Sequence, residues 1–191
     1  MSETTTHFYR THPEQWLKHY YFMRTLFSVL WVVTAFAIGQ HSLALAAAML
    51  VIYPAWDALA NYVDATFSGG LGRNRMQALN IVVSIITTLA VIVALRMSAN
   101  AVIAVFGVWA IISGLLQLGA ALRRWKRFGA QWTMILSGAQ SALAGGFFIF
   151  QAKMPVPPSI LNIAGYAAVG ALYFFISAVW LTVSLRKKHA I

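Results

Sequence analysis

One stretch of the sequence places polar and acidic side chains where an apolar run would otherwise continue. Tyr53, Asp57, Asn61 and Asp64 follow one another at spacings of four, four and three residues, so in a helix they share one face. A charged side chain inside a bilayer costs about 2.5–3.5 kcal/mol on insertion scales, and such residues usually have a function. Two interpretations of Asp57 stay open: a neutral carboxyl that hydrogen-bonds to neighbouring helices as a structural contact, or a group that handles protons or a solute.

The next apolar run supplies partners for Asp57. When depths are counted from the same membrane surface, Asn61 is level with Asn80, and Asp57 is level with Ser84. We therefore predict that Asp57 faces the interior of the helix bundle and hydrogen-bonds around Asn61, Asn80 and Ser84. With no Lys or Arg expected at that depth, the carboxyl should be largely neutral. Asp57→Asn should then leave folding intact, while Asp57→Leu should destabilise the protein by about 1–2 kcal/mol.

Asp64 lies closer to the membrane surface than Asp57, and its expected environment differs. The basic residues that the sequence places nearest to it are Arg24, Arg73 and Arg75. We expect these cations to keep Asp64 ionised, since opposite charges favour each other's charged forms.

The remaining residue types do not form a recognisable catalytic or metal-binding pattern. The chain has no cysteine, so thiolate chemistry and cysteine-ligated metals are excluded. None of the histidines lies in the middle of an apolar run or pairs with a glutamate as in HExxH, although an N-terminal pH-sensing or metal-binding role remains a weaker alternative. We expect no catalytic residue, no cofactor and no metal site. The histidines are His7, His12, His19, His41 and His189.

A short basic turn mixes cations with an aromatic residue and could suggest nucleic-acid binding. Its five residues separate two apolar runs, which is typical of a membrane-interface anchor. We therefore expect an anchor and no nucleic-acid partner. The basic residues of the turn are Arg123, Arg124, Lys126 and Arg127.

These residues must be positioned by helices that cross a membrane. The chain is 60% hydrophobic and only 9% charged, too apolar for a soluble helical bundle with a charged surface. We predict an all-α integral membrane protein with one membrane domain over residues 1–191, in which 1–23 form a cytoplasmic N-terminal segment. The six transmembrane helices are predicted at about residues 24–39, 43–63, 78–95, 101–122, 132–150 and 160–185.

The basic residues predict the orientation of these helices. Twelve of the fourteen Lys and Arg residues lie before the first run, in alternate gaps or in the tail, and the other gaps hold only Arg96 and Lys153. Because Lys and Arg are enriched in cytoplasmic loops, both termini should be cytoplasmic, in a bacterial inner membrane. The net charge of +10 also favours an anionic inner leaflet as the lipid partner.

Weak internal similarity groups the crossings into three tandem hairpins, at about 24–64, 77–124 and 130–188. Chance similarity among apolar helices is the alternative. Small residues at four-residue spacing predict where helices approach each other closely. These helix-packing candidates are Gly114, Gly138, Ala142 and Gly146.

Three segments carry a family resemblance: residues 109–117, the basic turn 123–127, and residues 131–140. Together they resemble the short membrane repeat of the HdeD family, best over residues 76–186. The resemblance implies a six-helix inner-membrane protein with a non-enzymatic stress or acid-resistance role. A small proton-coupled transporter or channel with Asp57 in its pathway is the alternative function, and a homo-oligomer is left open.

Overall fold

The computed structural model describes residues 13–126 and 129–189, and all regular structure there is helical. Six long helices carry the fold, and two short 3-10 turns, Gly39–His41 and Leu71–Arg73, lie in the links between them. All six are long and apolar enough to cross a membrane, so this is a multi-pass membrane protein. The helices are α1 (Pro13–Ala37), α2 (Leu43–Phe67), α3 (Arg75–Ala94), α4 (Ala99–Arg124), α5 (Gln131–Gln151) and α6 (Ile160–His189).

Local sequence signals account for several of the helix boundaries. The Ser42 and Ser98 side chains accept hydrogen bonds from the third backbone N–H of α2 and α4, at 3.3 and 3.1 Å. The link between α2 and α3 contains Gly69 and Gly70 at φ values of +103° and +91°, where a side chain would be strained. Asn74 closes that link by donating from its side-chain amide to the backbone carbonyl oxygens of Ser68 and Gly70, each at 2.9 Å.

Successive helices run antiparallel, and the first helix packs against the last, so the six close into a ring. The most extensive contacts are those of α4 with α5, α1 with α6, and α2 with α3. The pairs predicted as hairpins are in contact as well, but α1 with α2 and α5 with α6 pack less extensively. The hairpins therefore describe chain order correctly but not the main packing units.

Because successive helices are antiparallel, the helix termini and the links between them lie at two opposite ends of the bundle. We call the end that holds the start of α1 and the end of α6 the basic end, because Arg73, Arg75, Arg123 and Arg124 lie there. The links between α1 and α2, α3 and α4, and α5 and α6 lie at the opposite end.

Helix α3 buries its polar side chains and exposes most of its large apolar ones, the reverse of a helix on the surface of a soluble protein. Its buried side chains include Gln77, Asn80, Ser84 and Thr87, whereas Leu79, Val82, Ile86, Leu89 and Val93 are exposed. In lipid, apolar side chains gain nothing by turning inward, so polar side chains turn inward to find partners. Apolar clusters lie near both ends of the bundle, around Phe106 at the opposite end and around Leu17 at the basic end.

Candidate functional site

Asp57 lies inside the ring, only 5% exposed, and its carboxylate accepts four side-chain hydrogen bonds. Ser84 Oγ donates to Oδ2 at 2.9 Å, and the amides of Asn61 and Asn80 donate to the same oxygen at 3.1 and 3.2 Å. These are the three predicted partners, and Asp57 faces the interior of the bundle as predicted. The fourth donor is Arg24 on α1, whose Nη2 lies 2.6 Å from Oδ1.

The pair with Arg24 corrects the prediction that no basic residue reaches this depth. Helix α1 already begins at Pro13, so Arg24 is eleven residues inside it, about 16 Å along the axis. Asp57 lies ten residues from the end of α2 at Phe67, so the two side chains are at matching depth. The guanidinium also lies over the ring of Phe174, 4.6 Å from its centre, and the Arg24 side chain is only 13% exposed. Arg24 therefore points into the bundle and not to the headgroups, which removes the basis for predicting a neutral Asp57.

Asp64 forms a second buried pair one level closer to the basic end. Arg124 Nη2 donates to Oδ2 at 2.8 Å, and the Asp64 side chain is 2% exposed. The Trp16 indole and the Ser68 hydroxyl donate to Oδ1, each at 3.1 Å, and the Gln77 amide donates to Oδ2 at 3.2 Å. Helices α1, α2, α3 and α4 thus meet on one carboxylate.

The cation that pairs with Asp64 differs from the predicted ones. Arg24 is bound to Asp57, and Arg73 and Arg75 are exposed. Arg124 was predicted as a membrane-interface anchor, yet its side chain turns inward and reaches Asp64 and Ser68 at the end of α2. The remaining basic residues of the turn fit an anchor better: Arg123 and Lys126 are exposed, and Arg127 lies outside the described residues.

We call the ion pairs Arg24–Asp57 and Arg124–Asp64, with their hydrogen-bond partners, the charged layer. Each pair is neutral overall, which limits the cost of holding four charges inside the bundle. A buried pair is weak evidence for stability, but it specifies which helix faces meet. The layer links α1, α2, α3 and α4 through atoms with defined hydrogen-bond geometry.

An aromatic and hydroxyl network continues from the charged layer toward the centre of the bundle. Trp109 Nε1 donates to Ser84 Oγ at 3.0 Å, and the predicted site residue Tyr53 packs edge-on against Trp109 with ring centres 5.8 Å apart. Tyr166 Oη lies 2.7 Å from Ser141 Oγ, which donates to the Ala110 carbonyl at 2.9 Å. Tyr53 thus lies beside the carboxylate site, with its ring packed among aromatic side chains.

Two small cavities adjoin these groups, each with a volume of about 50 Å³. A buried water needs roughly 10–15 Å³ of such volume, so each cavity has room for a few waters but not for an organic solute. Both cavities are lined by Arg24, Asp57, Asn80, Gln117 and Phe174, so they adjoin at the Arg24–Asp57 pair.

Three buried polar atoms on the cavity walls have no hydrogen-bond partner among the described residues. They are Arg24 Nε, Asn80 Oδ1 and Ser113 Oγ. Buried donors and acceptors of this kind usually bind ordered water. The cavities are therefore suited to waters that contact the charged layer directly.

Close helix packing was predicted correctly at Gly114 and Gly138 but wrongly at Gly146. A Cβ atom added to Gly114 would lie 2.6 Å from the Gly138 carbonyl oxygen and 2.8 Å from the Ala142 nitrogen, so three of the four candidates lie at the α4–α5 contact. Gly146 has no atom within 4 Å of such a Cβ. Gly145, the preceding residue, is the one that lies at the α4–α5 contact.

The spacing at this contact is seven residues, not four. Gly107 and Gly114 on α4 face Gly145 and Gly138 on α5. Seven residues fall about 20° short of two helical turns, whereas eight residues overshoot two turns by about 80°. Gly145 therefore stays on the same face as Gly138, and Gly146 turns toward the lipid.

Comparisons with known proteins support a membrane repeat in the middle of the chain. Residues 79–150, from α3 to α5, match the model of a family described as a short repeat of unknown function (DUF308). The predicted similarity to a short-repeat family is thereby confirmed for this segment. No curated protein and no solved structure matches the chain.

Proposed function

We propose that this protein is a non-enzymatic, multi-pass protein of a bacterial inner membrane, with both termini in the cytoplasm. The orientation rests on the basic residues at the basic end, including Arg73, Arg75, Arg123 and Lys126. Among the described Lys and Arg residues, only Arg96 and Lys153 lie at the opposite end. The bilayer with an anionic inner leaflet is its main partner, and nucleic acid is not.

A stress or acid-tolerance role of the HdeD type is the function we favour. The sequence resemblance supports this role, and the repeat match over residues 79–150, to a family of unknown function, supports the membrane repeat alone. The charged layer is the observation that carries the proposal. Its acids and arginines bind one another across helices, which supports a role in helix packing over a catalytic role for these side chains.

Proton passage is the second candidate, because the cavities and their unpartnered polar atoms favour it. Waters bound to Arg24 Nε and Asn80 Oδ1 would contact the Asp57 pair from both cavities. Protons can move along such water and carboxylate chains in membrane proteins. Cavities of about 50 Å³ argue against an organic solute as cargo.

A proton-flux assay in proteoliposomes separates the two functions. Wild type is compared with protein-free liposomes and with Asp57→Asn, with Thr66→Val on the exposed face of α2 as the matched control. Flux that Asp57→Asn abolishes and Thr66→Val retains supports proton passage. Wild-type flux equal to that of empty liposomes supports the structural role.

The double variant Arg24→Gln, Asp57→Asn guards against a folding defect in the single variant. It removes both charges of the pair together, so no uncompensated charge stays buried. If the double variant folds and conducts like wild type, Asp57 is not in a proton pathway.

A further inference from the structure

The basic end holds a larger groove, which adjoins the first cavity of the charged layer at Gln77, Ala120 and Arg124. Its volume is about 660 Å³, within the range of small-molecule sites, which is roughly 300–1,000 Å³. The start of α1, the α2–α3 link and the end of α4 form its walls. The lining residues are Pro13, Leu17, Phe67, Ser68, Gly69, Arg73, Asn74, Gln77, Ala120, Arg123 and Arg124.

The charge of the groove is uniformly positive. Three arginines line it, and none of its lining residues in the described part of the chain is Asp or Glu. Arg124 is bound to Asp64, but Arg73 and Arg123 take part in no ion pair among the described residues. Two guanidinium groups therefore remain available, and guanidinium binds phosphate in a bidentate manner.

The loop that carries Arg73 has a defined shape. The Asn74 side chain bonds two carbonyl oxygens of the link, and a Cβ added to Gly69 would lie 3.5 Å from Arg73 Cδ. The aliphatic part of Arg73 thus lies against Gly69. This contact restricts the Arg73 side chain before binding, so ligand binding costs less side-chain conformational entropy.

The surroundings of the groove indicate where its ligand comes from. Phe67 and Leu17 lie in its wall, and Leu122 and Trp125 are exposed beside Arg123 and Arg124. Exposed tryptophan at a helix end is typical of the headgroup region of a bilayer. A ligand with a phosphate and an attached acyl chain would place the phosphate at the arginines and the chain toward the exposed Leu122 and Trp125.

We propose that this groove is a binding site for the phosphate headgroup of an anionic glycerophospholipid, held by Arg73 and Arg123. The proposal names a discrete site and goes beyond general attraction of the chain to an anionic leaflet. Its test in detergent needs neither the proposed orientation nor the proposed function, so their failures are distinguishable.

The experiment measures lipid binding to the purified chain in a non-ionic detergent. Short-chain phosphatidylglycerol is titrated against short-chain phosphatidylcholine and against inorganic phosphate, with binding followed by native mass spectrometry. Arg73→Gln and Arg123→Gln are tested beside Arg75→Gln and Lys126→Gln, which remove the same charge at exposed positions outside the groove.

We expect each groove variant to weaken phosphatidylglycerol binding by about tenfold, the effect of losing one charge-assisted hydrogen bond. Each control variant should weaken binding by less than about twofold. Arg73→Lys should recover only part of the loss, because it restores the charge without the bidentate geometry. Equal losses in all four glutamine variants would show bulk attraction and overturn the proposal. Inorganic phosphate binding as tightly as the lipid, with the same dependence on Arg73 and Arg123, would overturn the lipid assignment.

Discussion

At the scale of single residues, the decisive feature is that both intramembrane acids are paired with arginines. Asp57 binds Arg24 and Asp64 binds Arg124, with side-chain exposures of 14% or less in all four residues. Removing one partner of such a pair leaves a buried charge without compensation. This reverses the expectation from sequence that Asp57→Asn leaves folding intact.

We predict that Asp57→Asn lowers the free energy of unfolding by about 3 kcal/mol, and that Arg24→Gln does so by a similar amount. The double variant should lose less than the sum of the two by at least about 1 kcal/mol, because no charge is then stranded. A double-mutant cycle of unfolding in detergent micelles measures this coupling. Additive losses would show that the two side chains do not interact in the folded protein.

At the scale of helices, α4 and α5 form the most closely approaching pair in the described chain. Gly107, Gly114, Gly138 and Gly145 allow backbone contact that a single methyl group would prevent. Such contacts drive helix association in lipid, where apolar burial contributes little between helices. The pair also holds Trp109 and Ser141, which extend the network around the charged layer.

Gly145→Ala should destabilise the protein by about 1–3 kcal/mol, since its Cβ would lie 2.8 Å from the Ile111 nitrogen. The matched control is its neighbour, Gly146→Ala, which faces open space. That variant should be neutral or stabilised by up to about 1 kcal/mol, the helix-propensity difference between glycine and alanine. Thermal unfolding of both variants in micelles measures the difference, and similar midpoints would contradict this account of the packing.

At the scale of the whole molecule, the ring of six helices has unlike ends. The basic end carries exposed arginines and the proposed lipid site, and the opposite end consists of three short links. This asymmetry is what the positive-inside rule predicts for a chain with both termini in the cytoplasm.

Cysteine labelling tests the proposed orientation without a background, because the chain has no native cysteine. A membrane-impermeant thiol reagent added from outside should label His41→Cys, Ser98→Cys and Pro155→Cys. It should not label Gly72→Cys or Lys126→Cys until the membrane is permeabilised. Labelling of the second group alone in intact cells would show the reverse orientation.

The helical class, the membrane crossings and the Asp57 partners Asn61, Asn80 and Ser84 could be predicted from the sequence. These follow from apolar run length and from the regular rise of a helix, which depend on local sequence. The pairing of Asp57 with Arg24, of Asp64 with Arg124, and of Trp109 with Ser84 was decided by tertiary structure. Each joins helices whose rotation about their own axes depends on all their neighbours. The capping-box pattern of Thr11, Pro13 and Glu14 predicts a helix start near Pro13, and depth counted from there places Arg24 level with Asp57.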